Sequence, residues 1–351
     1  MDGAFQSVFK RVQDFAGGVL ASKSWERRID AIEKSGDLYA AIDELQRVAR
    51  TSEDGEVFRR LLTLRFKAAR AYDRPAPSEP VTPSDAPPPF KPIPKDALSP
   101  ARLRQGLSEH GCLWVKHFFG KSDVSALTEL IDKAFNAKRA DFDGRENWFD
   151  LQTPHTFIPK DHWGTHIHKM KDSEERLMLY ASPEGLSKWI DIITHAGLTA
   201  FVENVVGERP YITASKTMLR RVNPIKDHVF GWHQDGAFMG RALNTVNVWA
   251  PLNDCGENSP GLAILPRRID LLPTGTEGAM YDWSVSHTLI EAQYGKQIET
   301  PLFEAGDLLL FDGFFLHRSL MGEHMTHPRY AVESWFFSSK GYPKDYTPLV
   351  V

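Results

Sequence analysis

The sequence predicts a mixed α+β chain with a mainly β core, an antiparallel barrel or jelly roll carrying flanking helices, preceded by a helical module. Three observations predict it. From residue 210 onward, short apolar runs ("PYITASKTMLRRV", "TVNVWAPL", "LAILP", "DLLLFDGFFLHRS", "RYAVESWFFSS") are divided by Gly, Pro, Asn and Asp, the punctuation of antiparallel strands rather than of alternating β and α segments. Before residue 74, apolar residues recur instead at spacings of three and four, the period of a helix face. Between the two lies a segment holding nine of the chain's 23 prolines.

Taken in order, Phe5, Val8, Phe9, Val12 and Phe15 make one helical stripe. Leu38, Ile42, Leu45 and Val48 make a second, with Asp37 as its cap. Val57, Leu61, Leu64, Ala68 and Tyr72 make a third. Residues 1–73 thus form a helical accessory module or a helical brace on the main domain, through which a protein partner could dock. Residues 74–98 are a proline-rich linker, extended because proline fixes φ and donates no hydrogen bond. The main domain spans 99–351. Ser99 caps a helix with Pro100 at its first position, "CLWVKHFF" reads as a strand, and Ser122 caps a helix whose buried face is Val124, Leu127, Leu130, Ile131 and Ala134.

The chain has 351 residues with 42% hydrophobic and 25% charged content, ordinary for a globular protein of about two domains. A net charge of −4 offers no basic field for nucleic acid. Two cysteines, Cys112 and Cys255, are too few for a disulfide framework and point to a reducing cytoplasm. No secretory h-region is present, and no apolar run approaches the roughly 18 residues a membrane span requires.

The chemistry concentrates in "GWHQDGAFMG". His233 and Asp235 are two residues apart, so in a strand both project from one face. His317, ending the run "GDLLLFDGFFLH", supplies a second imidazole from a separate strand. Two histidines and one carboxylate, with open positions opposite, are the ligand set of non-haem Fe(II) oxygenases. Three protein ligands leave room on an octahedral iron for a bidentate co-substrate and dioxygen. If that co-substrate is 2-oxoglutarate, its distal carboxylate needs a cation. Arg329, twelve residues past His317, is placed for this on the following strand, adjacent to the metal strand if the two pair. Ser319, two residues after His317, shares its face and can donate a further bond.

With these motifs in this order, the chain resembles the phytanoyl-CoA dioxygenase family of Fe(II)/2-oxoglutarate-dependent oxygenases over roughly residues 99–340. The resemblance runs through "HGCLWVKHFFGKSDVSALTELI", "WHQD", "VNVWAPLNDCGENSPGLAILP", "GDLLLFDGFFLHRS" and the arginine of "HPRYAVESWF". It implies a double-stranded β-helix (jelly roll) with iron on His233, Asp235 and His317, and 2-oxoglutarate held by Arg329 with help from Ser319. It also implies dioxygen as second co-substrate and oxidation of a small-molecule C–H, with release of succinate and carbon dioxide. An aspartate at 235 favours hydroxylation, since related halogenases carry a small residue there; desaturation, epoxidation or cyclisation use the same centre. The chain departs from the family where Pro266-Arg267-Arg268-Ile269 replaces a usual Pro-Gly-Ser-His run.

Other residues compete for a role. Arg267 and Arg268 can meet an anionic substrate or be merely solvated. Trp249 walls the co-substrate pocket or is plain core. Glu333 shares strand parity with Arg329, so it orients a neighbour of the site or is turned outward by a bulge. His166 and His168 form another same-face pair, read as a polar loop, and His324 and His327 sit in the loop before Arg329. "ENWFDLQTPHTFIP" and "EGAMYDWSVSHTLIEAQYGKQ" are the segments available to cover the iron. The rival from another class is a non-catalytic jelly roll that binds a metal or ligand and uses the helical module as an adaptor; an open metal face with a carboxylate clamp is superfluous to such a protein.

Overall fold

A computed structural model of the protein describes residues 24–70, 81–85, 87–141, 176–179, 182–213, 216–224, 231–240, 245–340, 346 and 348–351. The stripe at residues 5–15 and the pair His166/His168 lie outside them.

Helix α1 covers residues 24–34, α2 Leu38–Ala49 and α3 Gly55–Arg70. Asp37 caps α2 as expected, its carboxylate accepting from the Ala40 N–H at 2.9 Å. Ile42, Leu45, Val57, Leu61 and Leu64 bury one shared face. That face belongs to the chain's own core: the same cluster contains Tyr211 and Val350 from the β region. Arg65 locks the junction, donating to the Val350 carbonyl and to Gln46 Oε1, both at 2.8 Å, while Gln46 donates to Ser187 Oγ at 3.0 Å. The stripes of α2 and α3 therefore pack against the chain's own β region.

Strand β1 (Ile93–Pro94) lies inside the stretch read as linker, yet it pairs in parallel with β2 (Cys112–Lys116). Phe90 stacks on Trp114 at 5.9 Å. Proline's missing donor is tolerated because β1 is an edge strand. Between them, α4 (Pro100–His110) starts at Ser99 as expected, the hydroxyl accepting from Arg102 N–H. Helix α5 (Lys121–Asp141) begins one residue before the expected cap. Ser122 sits inside its first turn, and Asp123 instead reaches back to the Gly120 N–H at 3.1 Å, a bond that stabilises the same terminus from the other direction.

After β3 (Arg176–Met178) come α6 (Pro183–His195) and α7 (Leu198–Val206), then β4 (Tyr211–Thr213), β5 (Met218–Val222), β6 (Thr245–Pro251), β7 (Gly261–Ile264), β8 (Leu308–Phe311), β9 (His317–Leu320), β10 (Arg329–Phe337) and β11 (Pro348–Val350). The larger sheet runs β1-β2-β8-β6-β10-β4-β11, with β5 pairing β10 and β3. β7 and β9 form the ladder of a smaller sheet, widened by isolated bridges at His233–His317, Trp232–Val285 and Ile264–Glu299.

Alternation of side chains assigns the two faces of the large sheet. Val246, Val248, Ala250, Leu308, Leu310, Val332 and Phe336 join the helices in the largest core cluster. Trp249, Leu309, Phe311 and Ala331 face the small sheet and close with Leu262, Ile264, Phe303 and Phe315 around them. The opposite face of the small sheet is sealed by Trp232, Val285, Ile290 and Leu316. The result is a mixed α+β fold with a sheet-rich core, in which the two sheets enclose an interior that is apolar at one end and polar at the other.

Candidate metal centre

His233 and His317 are placed by backbone pairing. Each donates its N–H to the other's carbonyl at 3.0 Å, so they form a directly opposed antiparallel pair. Directly opposed residues share a face, and the two ring centroids lie 4.3 Å apart. Asp235 arrives differently from the strand parity expected for it. The bridge ends at His233, and Asp235 adopts helical angles (φ −60°, ψ −27°) at the start of the short helix α8 (Gly236–Met239). A turn, rather than a continuing strand, brings its carboxylate round to the imidazoles. The turn is braced by Gly236, whose N–H donates to the Gly313 carbonyl at 2.8 Å. A Cβ on Gly236 would sit 2.9 Å from that oxygen, so only glycine permits the approach. Gln234 points away and pins the neighbouring loops, donating to the carbonyls of Phe314 (2.7 Å) and Asp270 (3.1 Å) and accepting from Leu272 N–H.

One ligand atom from each of His233, Asp235 and His317 lies within 4.8 Å of the others. His233 Nε2 and Asp235 Oδ1 are 3.9 Å apart, a spacing that accommodates an ion between them. The outer atoms of all three groups are committed elsewhere. His233 Nδ1 is bonded to the Gly231 carbonyl at 3.0 Å and His317 Nδ1 to the Phe315 carbonyl at 3.1 Å. A carbonyl only accepts, so each Nδ1 carries the proton and each Nε2 presents a lone pair inward. Asp235 Oδ2 accepts from Asn247 Nδ2 at 2.6 Å, and Thr245 Oγ1 donates to Asn247 Oδ1 at 2.9 Å, which leaves Oδ1 of the aspartate to the centre. The donor set fits a divalent transition metal.

Electrostatics agree. Burial, followed by the neighbouring His317, holds His233 well below the ordinary histidine value of 6.5, and burial also lowers His317, so both rings are neutral. Burial and then the Glu333 carboxylate push Asp235 up to about 7, opposed by Lys216 and the Asn247 bond. A cation in the centre would reverse the balance for Asp235.

Arg329 is buried. It donates to the Gly261 carbonyl at 2.7 Å and to Ser319 Oγ at 3.3 Å, and its guanidinium lies over the Trp249 ring at 5.7 Å. Arg329, Ser319 and Trp249 thus meet in one corner. The route differs from the one expected. β10 does not pair with β9: it pairs with β4, β5 and β6 in the large sheet. Arg329 reaches Ser319 across the space between the sheets, because the β9–β10 connection crosses from one to the other. Ser319 is two residues beyond His317, about 7 Å along the strand, a separation that suits the two ends of a short diacid.

Arg267 and Arg268 do not join the cluster. Arg268 is buried with its guanidinium on Asp312 (2.6 Å) and over Phe314 (4.8 Å), and it donates to the Leu107 carbonyl. It is an internal counter-ion, which corrects the expectation that it meets substrate. Arg267 bonds Gln297 at 3.4 Å and lines a separate cleft beside Pro87, Pro88, Pro89 and Phe90. His324 bonds the Glu257 carbonyl and His327 bonds Thr326, so neither belongs to the ligand cluster.

Of the neighbours, Asn247 and Lys216 were missed from sequence, whereas Glu333 was named there on its strand parity with Arg329. Asn247 carried a signal, a lone carboxamide in the otherwise apolar "TVNVWA". Glu333 faces inward, with Arg220 Nε 3.4 Å from its Oε2. Lys216 carried no signal; it sits over Phe238 (4.6 Å) and Trp335 (5.0 Å). Of the two segments thought able to cover the iron, residues 146–159 lie outside the described residues. The other contributes Trp283, edge-on to His233 at 5.2 Å.

Residues 107–322 match the sequence profile of the family described as Phytanoyl-CoA dioxygenase (PhyH). A search of curated proteins returns no match. Among solved structures, EctD from S. alaskensis with bound Fe is 17% identical, with a TM-score of 0.48 over 76% of this chain and 83% of that one. AviO1 from Streptomyces viridochromogenes Tue57 is 15% identical, with a TM-score of 0.46 over 70% and 98%. The non-heme alpha ketoglutarate dependent carbocyclase SnoK from nogalamycin biosynthesis is 15% identical, with a TM-score of 0.44 over 71% and 87%. Among the described residues, no helix is long and apolar enough to cross a membrane.

Proposed function

We propose that this chain, which belongs to the phytanoyl-CoA dioxygenase family and is a 2-oxoglutarate-dependent iron oxygenase, hydroxylates an unactivated C–H bond of a small molecule. The observation that carries the reading is the His233–Asp235–His317 cluster, its ligand atoms within 4.8 Å and its outer atoms all spent on other partners. The two paired sheets are proposed to be the halves of a jelly roll. In this reading 1–73 is an accessory brace on the 99–351 domain, and the buried free thiols Cys112 and Cys255 fit a reducing cytoplasm.

His233 Nε2, His317 Nε2 and Asp235 Oδ1 would hold the iron, and Arg329 with Ser319 would hold the distal carboxylate of 2-oxoglutarate. Bound iron, 2-oxoglutarate and dioxygen together supply C–H oxidation, with succinate and carbon dioxide released. The protein's part is positional. The Gly231 and Phe315 carbonyls hold both imidazoles in the tautomer that binds metal. Asn247 holds the aspartate to a single inward oxygen. Trp249 supplies an apolar floor beneath Arg329, which strengthens its grip on a carboxylate by excluding water. Asp235 occupies the position that a halide-transferring relative would leave open, which favours hydroxylation.

The test is anaerobic addition of Fe(II) and then 2-oxoglutarate, followed by the visible charge-transfer band. The band should form in the wild type, vanish in His233→Ala, and need higher 2-oxoglutarate in Arg329→Ala. Absence of an Fe(II)-dependent band in the wild type would remove the reading.

A further inference from the structure

The polar end of the interior holds a cation that the metal chemistry does not use. Lys216 forms no ion pair with any carboxylate among the described residues, although it is half-buried. Its ammonium lies 4.6 Å from the Phe238 ring and 5.0 Å from the Trp335 ring, themselves stacked at 5.6 Å. Phe238 is also edge-on to Trp283 (5.8 Å), and Trp283 is edge-on to His233 (5.2 Å). One continuous aromatic wall therefore leads from a candidate iron ligand to the ammonium. The wall opens to solvent: Trp283 and Tyr281, stacked at 4.7 Å, are 38% and 41% exposed.

Charge accounting sharpens the point. Among the described residues, two carboxylates act on this end of the interior, Asp235 and Glu333. Asp235 is the carboxylate of the candidate metal cluster. Glu333 has its own cation in Arg220, 3.4 Å away. Among the described residues Lys216 is thus left without an ion pair, feeling Asp235 and Glu333 only at a distance. A second argument comes from the aromatics. Ring faces around an open site ordinarily suit a cationic ligand, but here the chain's own ammonium already occupies them. A cationic substrate would meet a like charge; an anion would complete the set.

We infer that the substrate is an organic anion whose carboxylate or phosphate is met by Lys216 and whose apolar body lies along Phe238 and Trp283, above His233. The inference rests on the proposed oxygenase reading and supplies its substrate class. It also moves anion recognition away from Arg267 and Arg268. Lys216 is a specificity-determining residue in this reading, placed to set which end of the molecule enters and which carbon is presented.

The test uses the full-length protein with Fe(II) and 2-oxoglutarate under anaerobic conditions. The probes share one body and differ in charge: 3-phenylpropanoate, 2-phenylethyl phosphate, 3-phenylpropanamide and 3-phenylpropylamine. Binding is read from tryptophan fluorescence and from displacement of the charge-transfer band. One or both anions should bind about tenfold to a hundredfold more tightly than the amide and the amine, the range of a hydrogen bond to a charged group; which anion leads separates carboxylate from phosphate. Lys216→Met should abolish that preference, Lys216→Arg should restore it, and Lys216→Glu should shift it to the amine. Equal binding of the amide and the anions, binding of none of the four up to their solubility limits, or a preference left within twofold by Lys216→Met would overturn the inference. The band itself, recorded for every variant before any probe is added, reports on iron and 2-oxoglutarate separately, so failure of the oxygenase reading is distinguishable from failure of this one.

Discussion

Asn247→Ala isolates what holding one carboxylate oxygen is worth to the metal. The residue is fully buried on β6, and its amide has no freedom to turn, because Thr245 Oγ1 donates to Oδ1 and so directs Nδ2 at Asp235. At 2.6 Å the bond is short and charge-assisted. Removing a donor to a charged group costs about 1.5–3 kcal/mol. Loss of a partner that orients a metal ligand typically lowers metal affinity by about 10–100-fold, or about 1.4–2.8 kcal/mol, so two independent routes reach the same size. The Asn247 bond also opposes the upward push on Asp235, which already stands at about 7. Without it the aspartate holds its proton to higher pH and competes more strongly with the metal. The deficit should therefore grow as pH falls through neutrality and shrink above it. Anaerobic Co(II) titration, followed by the visible ligand-field bands at several pH values, measures both effects, and circular dichroism checks the fold. A well-folded Asn247→Ala protein with Co(II) affinity within twofold of wild type across that range would refute the reasoning.

Arg65→Ala should cost about 2–4 kcal/mol, since it strands the buried Val350 carbonyl and Gln46 side chain; urea denaturation should show this as a lower midpoint within one transition shared by the helices and the sheets. Asp312→Ala should be worse, about 3–5 kcal/mol, because it leaves the Arg268 guanidinium buried without its counter-ion, and thermal melts should show part of the loss recovered in the Asp312→Leu/Arg268→Met double variant. Lys67 and Arg60 hold Glu33 below the ordinary glutamate value of 4.5. A depressed carboxylate stabilises the fold above its unfolded pKa and loses that contribution as pH falls through its folded pKa. Glu33→Gln should thus be destabilised by about 0.5–1 kcal/mol at neutral pH, with the difference from wild type vanishing in acid.

The large sheet shows how far periodicity carries. Strands β6, β8 and β10 fall within the runs read from sequence, because alternation between two buried faces leaves a pattern that survives in one dimension. So does the cap at Asp37, whose partner is three residues away. The cap expected at Ser122 lies two residues inside the true boundary, where Asp123 satisfies the terminus at Gly120 from within the helix. The linker reading missed β1, since the pairing that makes Ile93–Pro94 a strand lies with Val115 and Lys116, beyond any local window. Arg268 was misread for a related reason: its burial depends on Asp312, distant in sequence and adjacent in space.

By itself the sequence determined the chemistry on offer: two imidazoles, a carboxylate and a guanidinium at spacings that suit a metal and a diacid, set among short strands. These are properties of residue type and order, which need no partner to be read. Tertiary structure alone decided how those groups meet. His233 faces His317 through a cross-strand pair, Asp235 enters by a turn that only Gly236 permits, and Arg329 meets Ser319 across two sheets instead of along one. It also decided that Lys216 stands on an aromatic wall beside the centre, with no ion pair among the described residues. Distances between side chains are set by packing, and packing is a property of the whole chain.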